Sequence, residues 1–302
     1  MFDVITVQHL HKTYGSTVAV EDVSFAVAEG EIFGILGPNG AGKTTTVECV
    51  QGLRDANGGE VRVLGLDPAT EAPELRQRIG AQLQDSALPG RLRVEESLEL
   101  FGAFAQHPVD REELLARWRL TELRDQSFDS LSGGQRQRLF IALAFVNAPE
   151  LVFLDELTQG LDPQARRATW DLIREIRADG TTVVLVTHFM DEAEQLCDRL
   201  AVVDRGRVVA LDTPQGLIDG LGLPSVVRFT TADADVSWLE RLDVVESVDQ
   251  RGATVEVRGT GPVLALVAAE LVAHGIAPLD LRVDRPTMED AFLALTGRAM
   301  RG

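Results

Sequence analysis

The eight residues GPNGAGKT, positions 37–44, fit the pattern GxxxxGK[ST] in full. In the run Gly37, Pro38, Asn39, Gly40, Ala41 and Gly42, the glycines let backbone N–H groups turn inward around phosphate oxygens. Lys43 can reach the outer phosphates of a nucleotide, and the Thr44 hydroxyl can hold Mg²⁺. A chance glycine-rich turn is the bland alternative. It is disfavoured because the loop follows a β-rich run, EIFGILG, and precedes a helical one, TTTVECVQGL.

A second constellation is LVFLDE. An apolar strand ends at Asp155, which can face the metal directly or through water. Glu156 can polarise a water in line with a terminal phosphate. An isolated Asp-Glu pair would as readily face solvent, but beside a complete phosphate loop the catalytic reading gains. His188 follows the strand TTVVLVT, and a polar residue at the end of a parallel strand faces the ligand crevice. Taken alone, it reads more readily as a structural histidine. Gln84 has an amide able to touch metal or water, with Gln82 a rival for the role and a surface loop the alternative. Tyr14, the only tyrosine, can stack on an adenine or simply pack.

LSGGQRQRLF, positions 131–140, raises a different question. Ser132, Gly133 and Gly134 open an apolar helix whose start can hold an anion, although the chain already has a phosphate loop. Ser is a common N-cap. Two glycines, however, cost stability and bare the backbone. Arg136 and Arg138 read as a solvated helix face.

These side chains need a scaffold. The chain has 302 residues, 45% of them apolar, enough for a large domain and a small one. A net charge of −18 argues against a nucleic-acid partner. Cys49 and Cys197 sit in no CxxC pattern and read as reduced, buried thiols. No apolar stretch is long enough to span a membrane, and the start lacks a signal-peptide pattern, so a cytoplasmic protein is expected. Strands are expected in VITVQHL and TVAVEDVSFAVAEGE, helices in EESLELFGAFAQ and REELLARWRL, and buried strands at 151–155 and 181–187. The last two flank a helix ending at Gly180, an order that argues for a mainly parallel α/β sheet. Residues 85–148 read as a helical insertion. A Gly- and Pro-rich linker follows position 220. Residues 221–302 then run β-α-β-β-α-β, with SWLERL as the first helix, suggesting a small ferredoxin-like α+β domain.

In order along the chain, Tyr14, GPNGAGKT, Gln84, LSGGQ, LVFLDE and His188 resemble the ATP-binding cassette (ABC) family over residues 1–220. The resemblance implies a P-loop NTPase cassette with an N-terminal antiparallel β subdomain and a helical subdomain at about 85–148. It implies ATP and Mg²⁺ as ligands and a head-to-tail pairing of two cassettes, in which each ATP lies between the phosphate loop of one and the LSGGQ of the other. By that resemblance Tyr14 stacks adenine, and Lys43, Thr44 and Thr45 hold phosphates and metal. Gln84 senses the γ-phosphate and touches metal, and Asp155 supports Mg²⁺. Glu156 is the general base and His188 the γ-phosphate switch. Ser132, Gly133, Gly134 and Gln135 act in trans, and Asp162 lines the dimer interface. Where the family has Pro-Thr-Ser-Gly or Pro-Thr-Asn-Gly after the glutamate, this chain has Leu157, Thr158, Gln159 and Gly160.

The tail, THFMDEAEQLCDRLAVVDRGRVVALDTP and RPTMEDAFLALTGR, resembles ATPase subunits of drug and antibiotic exporters of the daunorubicin-resistance type. The expected protein is therefore an ATPase at the cytoplasmic membrane face. It would pair with a second cassette, an identical copy by preference, and drive a separate permease. A soluble ribosome- or DNA-associated ABC ATPase is the alternative.

Overall fold

Twelve-residue strands β1 (Asp3–Tyr14) and β2 (Thr17–Ala28) alternate between buried and open positions, as a sheet with one covered face requires. They pair antiparallel, and β4 (Gly58–Val63) adds to the free edge of β1. By contrast β3 (Ile32–Leu36), β6 (Leu151–Asp155) and β7 (Thr182–Thr187) are buried at every position. Both faces are covered, which is why their sequences are continuous apolar runs.

The computed structural model describes residues 2–82, 87–231 and 235–297. They fall into two compact units, the first ending at Pro214 and the second starting at Gln215. The first holds a mixed sheet of nine strands among the described residues, in the order β4-β1-β2-β9-β8-β3-β7-β6-β5. Strand β5 is Ile79–Gln82, β8 is Arg199–Asp204 and β9 is Arg207–Asp212. From β8 to β5 every neighbour is parallel. Strand β9 runs antiparallel to β8 and parallel to β2, joining this block to the antiparallel strands. Strands β4, β5, β8 and β9 lie outside the stretches read as strands above.

Helices α1 (Lys43–Val50), α2 (Ala72–Arg78), α6 (Pro163–Ala178) and α7 (Met190–Leu196) alternate with these strands. Helices α3 (Val94–Gly102), α4 (Arg111–Arg117) and α5 (Gly133–Ala144) fall within the stretch read as a helical insertion. Asp110 caps α4, accepting from the N–H groups of Glu112 and Glu113. The core runs through Val7, Val20, Phe33, Val47, Phe153 and Val184. Phe25 and Phe33 stack there with ring centroids 5.3 Å apart.

Helix α8 (Pro214–Gly220) follows β9. The second unit then contains β10 (Ser225–Thr230), β11 (Val245–Arg251), β12 (Thr254–Gly259) and β13 (Leu279–Asp284), with α9 (Val263–Ala273) and α10 (Met288–Thr296). Its strands pair antiparallel in the order β11-β12-β10-β13. Val227, Phe229, Val255 and Val257 pack against Val263, Val267 and Leu271 of α9. SWLERL, read as a helix, forms only a 3₁₀ turn at Ser237–Arg241. Five residues are too few to nucleate an α-helix against its entropic cost.

Candidate active site

Residues 37–42 leave the end of β3 and lead into α1. Gly37 is forced by close approach, because a Cβ there would stand 2.2 Å from the carbonyl oxygen of Val203. Gly42 has φ 101°, in the region only glycine enters freely, and caps α1. No side chain caps this helix, so its first N–H groups face the cleft with the positive end of the helix dipole behind them. A cleft of about 490 Å³ opens there, lined by Tyr14, Asn39, Gly40, Lys43, Thr44 and Glu156 among others, and Thr45 also borders it.

Lys43 is buried, and its Nζ donates to the carbonyls of Gly37 at 2.7 Å and Pro38 at 3.2 Å. Burial pulls its pKa below the ordinary lysine value, and the carboxylates of Glu156 and Asp155 oppose that pull. The lysine, the strand-end aspartate and the glutamate thus share one electrostatic neighbourhood. Tyr14, at the end of β1, keeps 42% of its surface exposed. Lys12 Nζ and the Arg54 guanidinium lie 5.2 and 5.8 Å from its ring centre, within cation–π range.

Asp155 is the last residue of β6 and is buried. Its N–H donates to the side-chain oxygen of Gln82 at 3.2 Å. Glu156, also buried, has φ 49°, which is uncommon for a residue with a side chain. Its N–H is held by the Val186 carbonyl at 2.9 Å. His188, just beyond β7, places Nδ1 2.9 Å from Glu156 Oε1. Pairing of β6 with β7 brings the glutamate and the histidine together. Gln84 lies outside the described residues. Gln82 braces the Asp155 backbone, a role visible only once β5 pairs with β6.

The serine-glycine turn is elsewhere. Ser132 caps α5: its hydroxyl accepts from the Gln135 N–H at 3.4 Å, and Gln135 Oε1 accepts from the Ser132 N–H at 2.7 Å. A Cβ on Gly134 would make only an ordinary 3.5 Å contact with Ala165, so local packing does not demand glycine there. Asp162 caps α6, accepting from the Gln164 and Ala165 N–H groups at 2.9 Å each. Ser132, Gly133, Gly134, Gln135 and Asp162 border a second cleft of about 530 Å³. It shares no lining residue with the first. Arg138, expected on a solvated face, instead borders this cleft and donates to the Arg119 carbonyl at 3.5 Å. Burial, helped by Arg119, pulls its pKa down. Arg136 likewise turns inward, donating to the Asp129 carbonyl and lying over the Phe128 ring.

Residues 20–159 match the ABC transporter family. The chain is 36% identical to the daunorubicin resistance ATP-binding protein DrrA2 of Streptomyces coeruleorubidus, over 97% of this chain and 95% of that protein. It is 36% identical to the Nod factor export ATP-binding protein I of Ralstonia nicotianae, covering 99% and 95%. With the linearmycin resistance ATP-binding protein LnrL of Bacillus subtilis the identity is 32%, covering 99% and 100%. Among solved structures, an ATP-binding subunit of an ABC transporter superposes with TM-score 0.65 at 30% identity, covering 72% of this chain and 93% of that one. The ABC cassette MJ0796, solved as a dimer bound to ADP and phosphate, gives 0.61 at 28% identity, covering 69% and 98%. A phosphate loop beside a buried Asp-Glu pair, a capped glycine turn on another face and these likenesses lead to one conclusion: the chain belongs to the ABC transporter family, as an ATP-binding ATPase subunit.

Proposed function

We propose that this ATPase works as a head-to-tail pair of cassettes, by preference two copies of this chain, and powers export through a separate membrane permease. The observation behind the pairing is the separation of the two clefts. The cleft at Lys43 and the cleft at Ser132 share no lining residue, which leaves the Ser132 helix start to serve a partner's nucleotide. Tyr14 stacks the adenine, while the loop 37–42 with Lys43, Thr44 and Thr45 holds phosphates. Ser132, Gly133, Gly134 and Gln135 close over them from the partner, with Asp162 at the interface. Glu156 takes the proton of the attacking water, and His188 orients the γ-phosphate and the glutamate.

The donors suit Mg²⁺. Thr44 offers a hydroxyl and Asp155 a carboxylate, both hard oxygen ligands, and Gln84 would add an amide oxygen. Among the described residues no cluster of three or more His, Cys, Asp or Glu side chains is placed to hold a metal. That agrees with a cation that binds through one carboxylate, substrate phosphates and water. When bound, it neutralises phosphate charge.

Among the described residues no helix is long and apolar enough to cross a membrane. Attachment to the cytoplasmic face then needs a docked permease. A groove lined by Ile79, Phe101, Phe104, Leu143 and Val146 suits an apolar helix, and Phe104 is 74% exposed. Relatives named for daunorubicin resistance, linearmycin resistance and Nod factor export favour a drug- or antibiotic-like cargo, with a lipid-like one the other class we propose. The second unit, with its strand order β11-β12-β10-β13, we read as a ferredoxin-like module that steadies or regulates the pair. Affinity purification from detergent-solubilised membranes tests the reading. Recovery of a stoichiometric integral membrane protein supports it, and recovery with ribosomes or DNA refutes it.

A further inference from the structure

Glu192 is wholly buried, on the seven-residue helix α7, and takes no part in the chemistry above. Its Oε1 accepts from the Trp170 indole N–H of α6 at 3.3 Å. Two other side chains act on its carboxyl, those of Thr187 and Thr158. Thr187 is the residue immediately before His188, and Thr158 stands two after Glu156; both are wholly buried. The Thr187 hydroxyl accepts from the Phe189 N–H at 3.0 Å, which leaves its own hydrogen to donate. Glu192 Oε2 and the Thr158 hydroxyl are each buried without a hydrogen bond of good geometry, yet Thr158 is near enough to draw the carboxyl's pKa down.

Around this carboxyl, α6 and α7 are stitched along one helix face. Arg166 lies 3.3 Å from Asp191 and Arg174 donates to the Gln195 carbonyl, on either side of the Trp170–Glu192 contact. Arg166 also covers the Phe189 ring, which packs on His188. An apolar side chain would fill the space under α7 without the desolvation cost of a buried carboxyl. What it could not do is hold three polar partners from three segments in one register. Burial drives this carboxyl above the ordinary range against the opposing pull of Thr187, Thr158 and Trp170. In its neutral form it can both donate and accept.

We propose that Glu192 is a positioning residue for hydrolysis, a buried brace that ties the Glu156–Thr158 segment to the Thr187–His188 segment and both to α6. The inference rests on Glu156 and His188 being the hydrolytic pair.

The test is steady-state ATP hydrolysis with Mg²⁺ by the full chain and its E192A, E192Q and E156Q variants. E192A should lower kcat about tenfold or more with KM for ATP within about twofold, because a small misplacement of a base costs rate rather than binding. E192Q, which keeps a donor and an acceptor in the same shape, should recover to within about threefold of wild type. A folded E192A with wild-type kcat overturns the brace, as does E192Q failing as badly as E192A. If E192A does not fold, W170F decides: a drop in kcat at constant KM supports the brace, and no change overturns it. E156Q separates the two levels. Turnover by E156Q at the wild-type rate overturns the hydrolytic pair itself, whereas an inactive E156Q beside a fully active E192A overturns the brace alone.

Discussion

Nδ1 of His188 and Oε1 of Glu156 are 2.9 Å apart, with 14% and 5% of their side-chain surfaces exposed. A carboxylate can only accept, so with Glu156 in that form this contact uses the Nδ1–H tautomer of His188. Replacing Glu156 by Gln keeps the size of the side chain and removes the proton acceptor. E156Q should bind ATP with affinity within about threefold of wild type and lose about 10²–10⁴ in kcat. H188A should lose a comparable factor, and the double variant little more, because the two act as a unit. Phosphate release and nucleotide titration measure both quantities.

Two defective chains should rescue each other if the clefts combine across a pair. K43A damages one cleft and S132R the other. Each alone should be nearly inactive. Mixed in equal amounts and allowed to exchange, half of the pairs contain one sound site of two, so activity should return to about a quarter of wild type. No recovery above the sum of the separate activities would show that the clefts work within one chain.

The Glu192 carboxyl gives stability a pH dependence of known sign. Burial raises its pKa, aided by Asp191, while Thr187, Thr158 and Trp170 oppose. Arg166, facing from α6, is paired with Asp191. The folded state therefore keeps a proton that the unfolded chain releases near pH ~4.3. The resulting stabilisation is full below that value and is lost as pH rises through the folded-state pKa. The melting temperature of wild type minus that of E192Q should fall as pH climbs from about 4.3, then level off. Parallel melting curves across pH 4–8, an arbitrary window of about four units, would contradict the assignment.

Helix α6 begins with Asp162 accepting from two N–H groups. D162A should cost about 1 kcal/mol and D162N a few tenths, since Asn caps as well as Asp. Urea unfolding of the nucleotide-free protein isolates this effect from any role at the interface.

The phosphate loop and the strand ends Asp155 and Thr187 were legible because their information is local. Eight contiguous residues make the loop, and continuous apolar runs make β6 and β7. Strands β4 and β9 have one buried residue between them, Val63, so neither carries the continuous apolar run that marks β6 and β7. The turn at Ser237–Arg241 has helical spacing but not the length to use it. Gln82 was weighed only as a rival to Gln84, because its contact with Asp155 depends on two strands some seventy residues apart. Glu192 sits in DEAEQ, which reads as a charged, solvated helix face. Only the packing of α7 against α6 and β7 turns that face inward.

Strand β9 is the last strand of the large sheet to be synthesised, yet it lies in the middle, between β2 and β8. Glu21 and Asp22 of β2 donate their N–H groups to the Gly206 carbonyl, and Arg207 pairs with Glu21. On the ribosome the N-terminal hairpin can form early and Phe25 can stack on Phe33, but no strand pairing joins it to the parallel block until residues 206–212 emerge. Such late, long-range closure slows folding and leaves the facing edges of β2 and β8 open to wrong partners meanwhile. A chain cut before Arg207 should thus accumulate as an aggregation-prone intermediate rather than as a smaller native protein.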